Sequence, residues 1–407
     1  MRILHLSSLY PPDQVGGAEM MVASLAELQA AKGHEVAVAC LSREEKVPSE
    51  QNGVLVHRTG HGMPFYIMDW PKKSPLDRIR YRIAMQTSNY TVSKMAAVVE
   101  KFKPDIVNSH SLSELNPRIW PMVKGLGVPL VHTLHDFKSL CTNASMFNHG
   151  KACTKRELKC LLIGLPHKSC QHSVDAIASV GTDILDRYIS EGFFEHVPEN
   201  LRRIIWNPIE PSQHVRDNHR APQDKVAFGF LGRIEKSKGI EVLLEACRAL
   251  PANGWSLLIA GRAIEGLDRY KTLAAGLPVE FIGFIDRDDF FDRIDCLVAP
   301  PIWSEPFGRT VAESYVRGVP AIGSRIAGIA EQIGEGQDDW LFAPNDPKEL
   351  AQKMTGIIEQ PGRLSQRTSN MSTIVSRVAP ENITQQYLDL YQAVVDRGAA
   401  TSSKSDV

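Results

Sequence analysis

Residues 299–320, APPIWSEPFGRTVAESYVRGVP, read as the end of a strand, a loop, a helix and the approach to another strand. The apolar run stops at Ala299, and two prolines leave Glu305 in a loop. Gly308 then opens a helical pattern that carries Glu313 about two turns along before Gly318-Val-Pro320 ends it. Strand, loop, helix and strand in that order imply a parallel sheet wrapped by helices, in which ligands bind beyond the carboxyl ends of strands. Glu305 in the loop and Glu313 on the same side of the helix are placed to grip hydroxyls on two parts of one ligand. Gly308 allows a ligand close to the backbone, and the free N–H groups around Arg309 and Thr310 form an anion site. A solvated helix start with ordinary acidic capping is the plainer alternative.

The same alternation extends in both directions. Around this stretch, apolar runs at 226–231, 256–260, 279–281, 296–299 and 320–322 read as strands. An earlier series reads likewise at 2–7, 36–41, 106–109 and 130–134, with helical patterns over 19–32 and 92–103. Gly33 ends the first of these helices and Pro104 the second. Residues 207–225, rich in Pro, His, Asp and Gln, break the periodicity and read as a linker. The expected fold class is α/β: two Rossmann-like, doubly wound parallel-sheet domains facing across a cleft. They would occupy 1–206 and 226–378, with a helix over 379–397 packing back on the first domain and a disordered tail over 398–407. A chain of 407 residues suits two hydrophobic cores better than one.

Composition narrows the function. With 43% hydrophobic and 23% charged residues and a net charge of −1, the chain does not read as a dedicated nucleic-acid binder. The opening MRILHLSSLYPP lacks the apolar core of a signal peptide, and no later run reaches the roughly 18 apolar residues of a membrane span. The expected location is the cytoplasm, where thiols stay reduced.

Upstream, FGFLGRIEKSKG (228–239) places a glycine turn and two cations between a strand and a helix. Arg233 offers a forked donor and Lys238 a mobile point charge, a pair suited to a pyrophosphate, although Lys238 alone would read as a surface lysine. In the first half, Gly16-Gly17 precede a helix and permit close approach of phosphate or sugar, or simply make a turn. His135 and His110 each end a strand.

Taken together, Glu305-Pro-Phe-Gly-x4-Glu313 with Gly318-Val-Pro320, and the G-R-x4-K-G run ending in Lys238-Gly239, resemble the GT4-type retaining glycosyltransferases of GT-B fold. The resemblance implies a hexosyltransferase that moves a sugar from a nucleotide-diphosphate donor to a glycan or lipid-linked acceptor, in cell-surface polysaccharide or glycolipid assembly. It implies Glu305 at the sugar, Glu313 at the ribose, and Phe307, Gly308, Arg309 and Thr310 along the sugar–diphosphate junction. Arg233 and Lys238 would hold the diphosphate without a metal, so that no cofactor is required, and Gly16-Gly17 would close over the phosphate. Phe281-Ile-Gly-Phe284 resembles the stretch around the base, and His135 the family histidine beside the reacting carbon, with His110 on the acceptor side. Ser324-Arg-Ile-Ala-Gly328 departs from the family's Gly-Gly, and Arg262 replaces a small or acidic residue. Front-face attack assisted by the departing phosphate is the expected chemistry, since no carboxylate is evident on the opposite sugar face. The alternatives are a GT-B-fold nucleotide-sugar epimerase, a glycan phosphorylase, or a non-catalytic sugar-nucleotide-binding subunit.

Two further signals stay open. Cys141, Cys153, Cys160 and Cys170 could ligate a structural metal, but no CxxC knuckle is present and ordinary thiols in a loop insertion fit the spacing better. The run from Met63 to Arg82 interleaves aromatics with Lys72, Lys73, Arg78, Arg80 and Arg82. It suits either peripheral contact with an anionic membrane or a mobile acceptor-side loop. Asp286-Arg-Asp288 reads as a helix start rather than a metal motif. The His132/His135 pair is not read as a zinc site, because an alternating strand would turn the two to opposite faces.

Overall fold

The computed structural model describes the chain except residues 14–15, 149, 213–214, 216–224, 264–265, 335–336, 369–370 and 406–407. Most of the expected linker thus lies outside the described residues. The chain divides into two compact units, the first formed by Met1–Ala144, Lys155–Pro208 and Pro380–Val407, the second by Ser145–Thr154 and Ile209–Ala379.

In chain order the early strands are β1 (Arg2–Ser7), β2 (Glu35–Ser42), β3 (Ser49–Gln51), β4 (Val54–Gly60), β5 (Ile106–His110) and β6 (Leu130–Leu134). A small hairpin follows, β7 (Phe147–Asn148) with β8 (Lys151–Ala152), and then β9 (Ala176–Ser179) and β10 (Arg202–Ile204). The first unit's sheet runs β10-β9-β6-β5-β1-β2-β4-β3, parallel throughout except for the β3–β4 edge pair. Helices cover parallel sheets on both faces, so central strands are apolar on both sides. β2, EVAVACLS, is buried at every position but Glu35. The chain leaves β1 toward β2 on one side and later returns to β5 on the other, so the strand order reverses at the β1/β5 junction.

The second unit carries β11 (Val226–Leu231), β12 (Trp255–Ala260), β13 (Val279–Gly283), β14 (Cys296–Ala299), β15 (Ala321–Ser324) and β16 (Leu341–Phe342). All six are parallel, in the order β13-β12-β11-β14-β15-β16, and its reversal falls between β11 and β14. Phe228, Leu257, Ile259, Cys296 and Ile322 fill its core without solvent contact.

Helix ends follow local chemistry. The Gly17–Ala31 helix starts from Gly16, whose N–H donates to Glu19 Oε2 at 3.1 Å. The Tyr90–Phe102 helix stops on Lys103, left-handed at φ 51°, directly before Pro104. The Pro380–Ser405 helix belongs to the first unit, where Tyr387, Leu390 and Tyr391 are fully buried and the Tyr391 hydroxyl accepts from Asn108 Nδ2 of β5 at 2.7 Å. This helix continues through the low-complexity tail to Ser405, where the composition had indicated disorder from 398 onward. A helix already nucleated by packing propagates more easily than a new one forms, which composition alone does not register. Among the described residues no helix is long and apolar enough to cross a membrane.

Candidate functional site

In the second unit the expected donor residues gather at the β11/β14 reversal. The loop after β11 carries Arg233 and Lys238, and the loop after β14 carries Glu305. Backbone contacts tie the two loops together: Ile302 N–H donates to the Ser237 carbonyl at 2.9 Å. Gly239, at φ 73°, sits so close to Pro300 that an added Cβ would fall 1.7 Å from its carbonyl oxygen. Only glycine tolerates both that backbone and that approach. The result is an ion pair between Lys238 Nζ and Glu305 Oε2, with the Lys238 ammonium 5.2 Å from the centre of the Trp303 ring. Arg233 pairs with Glu235 at 3.0 Å and remains half exposed.

Glu313 lies nearer the helix start than expected. The helix spans Arg309–Val316 from Gly308, so Glu313 is its fifth residue, little more than one turn in. Its side chain is 3% exposed, and Oε1 accepts from Arg309 Nε at 2.8 Å and Arg287 Nε at 3.0 Å. A carboxylate this deep needs such partners, and they fix it in one direction. Gly308 has φ 72°, and a Cβ there would strike Ile329. Phe307 is buried, and its carbonyl accepts from Gln332. Thr310 follows Arg309 in the first helical turn. Gly328 N–H donates to the Glu305 carbonyl at 3.0 Å, which preserves one close approach in the segment that departs from the family pattern. The other departure is visible as strain: Ala327 holds φ 42°, where an L-residue is disfavoured. Arg262, the remaining departure, lends its carbonyl to the Ile234 N–H at 3.0 Å. Phe284 does not join the cluster and stands 94% exposed beyond β13, a bare aromatic face. Asp286 caps the Arg287–Asp292 helix, and Asp288 accepts from Arg317 Nε at 2.6 Å.

In the first unit the site residues meet at the carboxyl ends of β1, β5 and β6. Gln29 Oε1, His5, His110 and His135 form one hydrogen-bonded line with steps of 2.8, 2.9 and 3.0 Å. With the Gln29 oxygen toward His5, His5 Nε2 donates to it, His5 Nδ1 accepts from His110 Nε2, and His110 Nδ1 accepts from His135 Nε2. Turning the amide reverses all three bonds, so its orientation sets which nitrogen of His135 carries the proton. Burial holds these rings neutral: His5 and His135 are pushed down to about 4, and His110 well below its ordinary value. His135 alone of the three keeps partial access to solvent. His132 stands apart, bonded through Nδ1 to Ser109 and packed edge-on to Trp120 at 4.8 Å. Gly16 and Gly17 open the helix beside this end of the sheet, while residues 14–15 of their loop lie outside the described residues.

Several residues here carried no separate signal in the sequence. Arg58, buried on β4, donates from Nη1 to the Tyr10 carbonyl at 3.2 Å and from Nη2 to that of Pro11, holding the loop after β1. His5 is the one polar residue in the otherwise apolar ILHL (3–6), a hint that sequence reading passed over.

Of the four clustered thiols, Cys141 and Cys160 are buried and Cys153 and Cys170 half-buried, all without disulfides. Among the described residues no group of three or more His, Cys, Asp or Glu side chains could hold a metal ion. In the run from Met63 to Arg82 the aromatics turn inward. Phe65, Tyr66 and Tyr81 are buried, and Trp70 packs on Phe65 and Tyr81 with Arg78 and Arg82 stacked on it at 5.5 and 5.6 Å. The apolar side chains the run exposes are Met68, Leu76 and Ile79, with Ile83 just beyond it. The reading of aromatics interleaved with cations at the surface is therefore revised, because the rings complete a small core of their own.

A family model described as Glycosyltransferase Family 4 matches residues 15–212, and one described as Glycosyl transferases group 1 matches residues 212–373. An uncharacterized 42.6 kDa protein in the cps region of Klebsiella pneumoniae is 29% identical over 334 residues, covering 81% of this chain and 87% of that one. Sucrose-phosphate synthase from Thermosynechococcus elongatus superposes with a TM-score of 0.73 at 20% identity, covering 97% of this chain and 99% of that one. Anabaena HepE in complex with UDP-glucose superposes with a TM-score of 0.66 at 17% identity, covering 97% and 100%.

Proposed function

Since the chain belongs to the GT4-type, group 1 glycosyltransferases, with their GT-B fold, we propose that it is a retaining hexosyltransferase using a nucleotide-diphosphate sugar. The acceptor in this reading is a glycan or lipid-linked saccharide of cell-surface polysaccharide or glycolipid assembly, met by a chain held peripherally at the cytoplasmic membrane face. The observation that carries the donor half is the pairing of Lys238 with Glu305 at the β11/β14 reversal, with Glu313 fixed nearby by two arginines.

Arg233 and Lys238 neutralise charge building on the leaving diphosphate, the task a metal performs in other transferases. Glu305 accepts from sugar hydroxyls and holds Lys238 in place, while Glu313 takes the ribose. The bond from the anomeric carbon to the diphosphate oxygen breaks. The acceptor oxygen bonds to that carbon on the same face, and its proton passes to the departing phosphate oxygen. His135, Gly16 and Gly17, with His110 on the acceptor side, belong to this reading through the resemblance. Phe284 offers its exposed ring to the base.

A calorimetric screen of UDP- and GDP-sugars identifies the donor, and NMR of the product's anomeric proton tests the stereochemistry. Glu305→Ala should abolish transfer. An inverted product, or wild-type turnover by that variant, would remove this mechanism.

A further inference from the structure

We propose that the joined outer faces of the Pro75–Thr87 and Leu158–Cys170 helices form a surface that docks on an anionic lipid bilayer. Leu76, Ile79 and Ile83 project from the first helix, at 57%, 55% and 58% exposure. Their spacing of three and four residues places them on one stripe, which Gln86 continues. Gln86 Nε2 donates to the Ile163 carbonyl at 3.3 Å, so the two helices touch at this end. There Leu158, Leu161, Leu162 and Leu165 repeat the same spacing, and Leu158 reaches 72% exposure. Both helices belong to the first unit.

These leucines and isoleucines are not unfinished core. The first helix is anchored by its opposite side, where Tyr81 and Met85 join Met63 and Phe65 in a closed cluster. The second is anchored by Cys160, Gly164 and His167. Single exposed apolar residues are ordinary, but seven exposed leucines and isoleucines on two anchored, touching helices mark a surface that is covered in use.

Charge decides the occupant. Residues 67–87 and 155–170 together carry nine Lys and Arg, of which Arg156 is buried against Glu191, facing three Asp and Glu. Each of the three acids is already paired: Asp69 with Arg43, Asp77 with Arg80, and Glu157 with Lys159. A second copy of the chain meeting this face symmetrically would set cation against cation. A membrane rich in acidic headgroups offers the complement, with apolar side chains entering the acyl boundary and the cations remaining at headgroup level. The surface depends on no step of sugar transfer.

The test is flotation of the full chain with vesicles of phosphatidylcholine alone or mixed with phosphatidylglycerol. The chain should float with the mixed vesicles, far less with the neutral ones, and be partly released by salt. Ile79→Glu combined with Leu162→Glu should weaken binding by at least about ten-fold, with an unchanged circular dichroism spectrum. Arg80→Glu, a milder change on the same face, serves if that double variant does not fold. Equal binding by folded variants and wild type overturns the proposal, as does failure of wild type to bind either vesicle. A wild-type dimer dissolved by the same substitutions also overturns it, making the face a self-interface. Calorimetric binding of a nucleotide sugar by the variant keeps this outcome separate from the fate of the transferase reading.

Discussion

Acidification from about pH 7.5 to about pH 5.5 should weaken the first unit, with His5, His132 and His167 together costing about 4 kcal/mol. His5, His132 and His167 are between 0% and 2% exposed. Burial pushes their imidazoles down to about 4, 3 and 4. In the unfolded chain each titrates near about 6.5, so over this window the unfolded state binds more protons than the native one. Stability carried by a depressed histidine is therefore complete above its unfolded value and is lost as pH falls toward the native one. Each of these three rings contributes about 1.4 kcal/mol of that loss by pH 5.5, and His110, held low by the same burial, adds to it. Asp136 and Glu114 act in the opposite sense, because burial raises their carboxyls and the native state takes up protons there. They offset part of the histidine loss. Urea titrations at each pH, followed through Trp120 packed on His132, measure it, and imidazole NMR gives each ring's own titration. A first-unit midpoint that holds or rises on acidification would refute the reasoning, as would buried rings titrating like free histidine.

Three further outcomes follow from the second unit. Glu313→Ala leaves Arg287 and Arg309 without their carboxylate and should weaken nucleotide binding by about 1.5–3 kcal/mol, or roughly ten- to a hundred-fold, read by calorimetry. Gly239→Ala drives a Cβ into the Pro300 carbonyl at a positive φ and should cost at least about 2 kcal/mol of second-unit stability in urea. Ala327→Gly relieves about 1–2 kcal/mol of left-handed strain against roughly 0.5–1 kcal/mol of added chain entropy. It should raise the thermal midpoint slightly, and a clear fall would show that Ala327 is not strained.

The parts of the fold legible in the sequence are those where burial on both faces leaves a plain apolar run. β1, β6, β11 and β14 fall where reading placed them. β4 escaped because VLVHRTG buries His57, Arg58 and Thr59, and the partners of Arg58 and Thr59 come only from distant segments. β9 is short and built of Ala, Ile and Ser, too weak a pattern to stand out. At the site, residue types and spacing pointed to Glu305, Glu313, Arg233 and Lys238, because a strand–loop–helix keeps them together locally. The pairing of Lys238 with Glu305 was not legible, since it depends on β14 lying beside β11. The line from Gln29 to His135 was hidden for the same reason: its members are far apart in sequence and meet only through the order of the strands.

The Pro380–Ser405 helix gives the molecule a particular order of assembly during synthesis. The strands of the first unit leave the ribosome before those of the second, yet Tyr387 and Tyr391, which close the first sheet beside Asn108, follow both. The second unit, ending at Ala379, has its full sequence before the first one does. A nascent chain must therefore carry an unsealed sheet while the second unit is made, and a ribosome stalling before Tyr387 releases a product with that seam open. Quality control by chaperones and proteases can then read the arrival of the Pro380–Ser405 helix from the state of the first sheet.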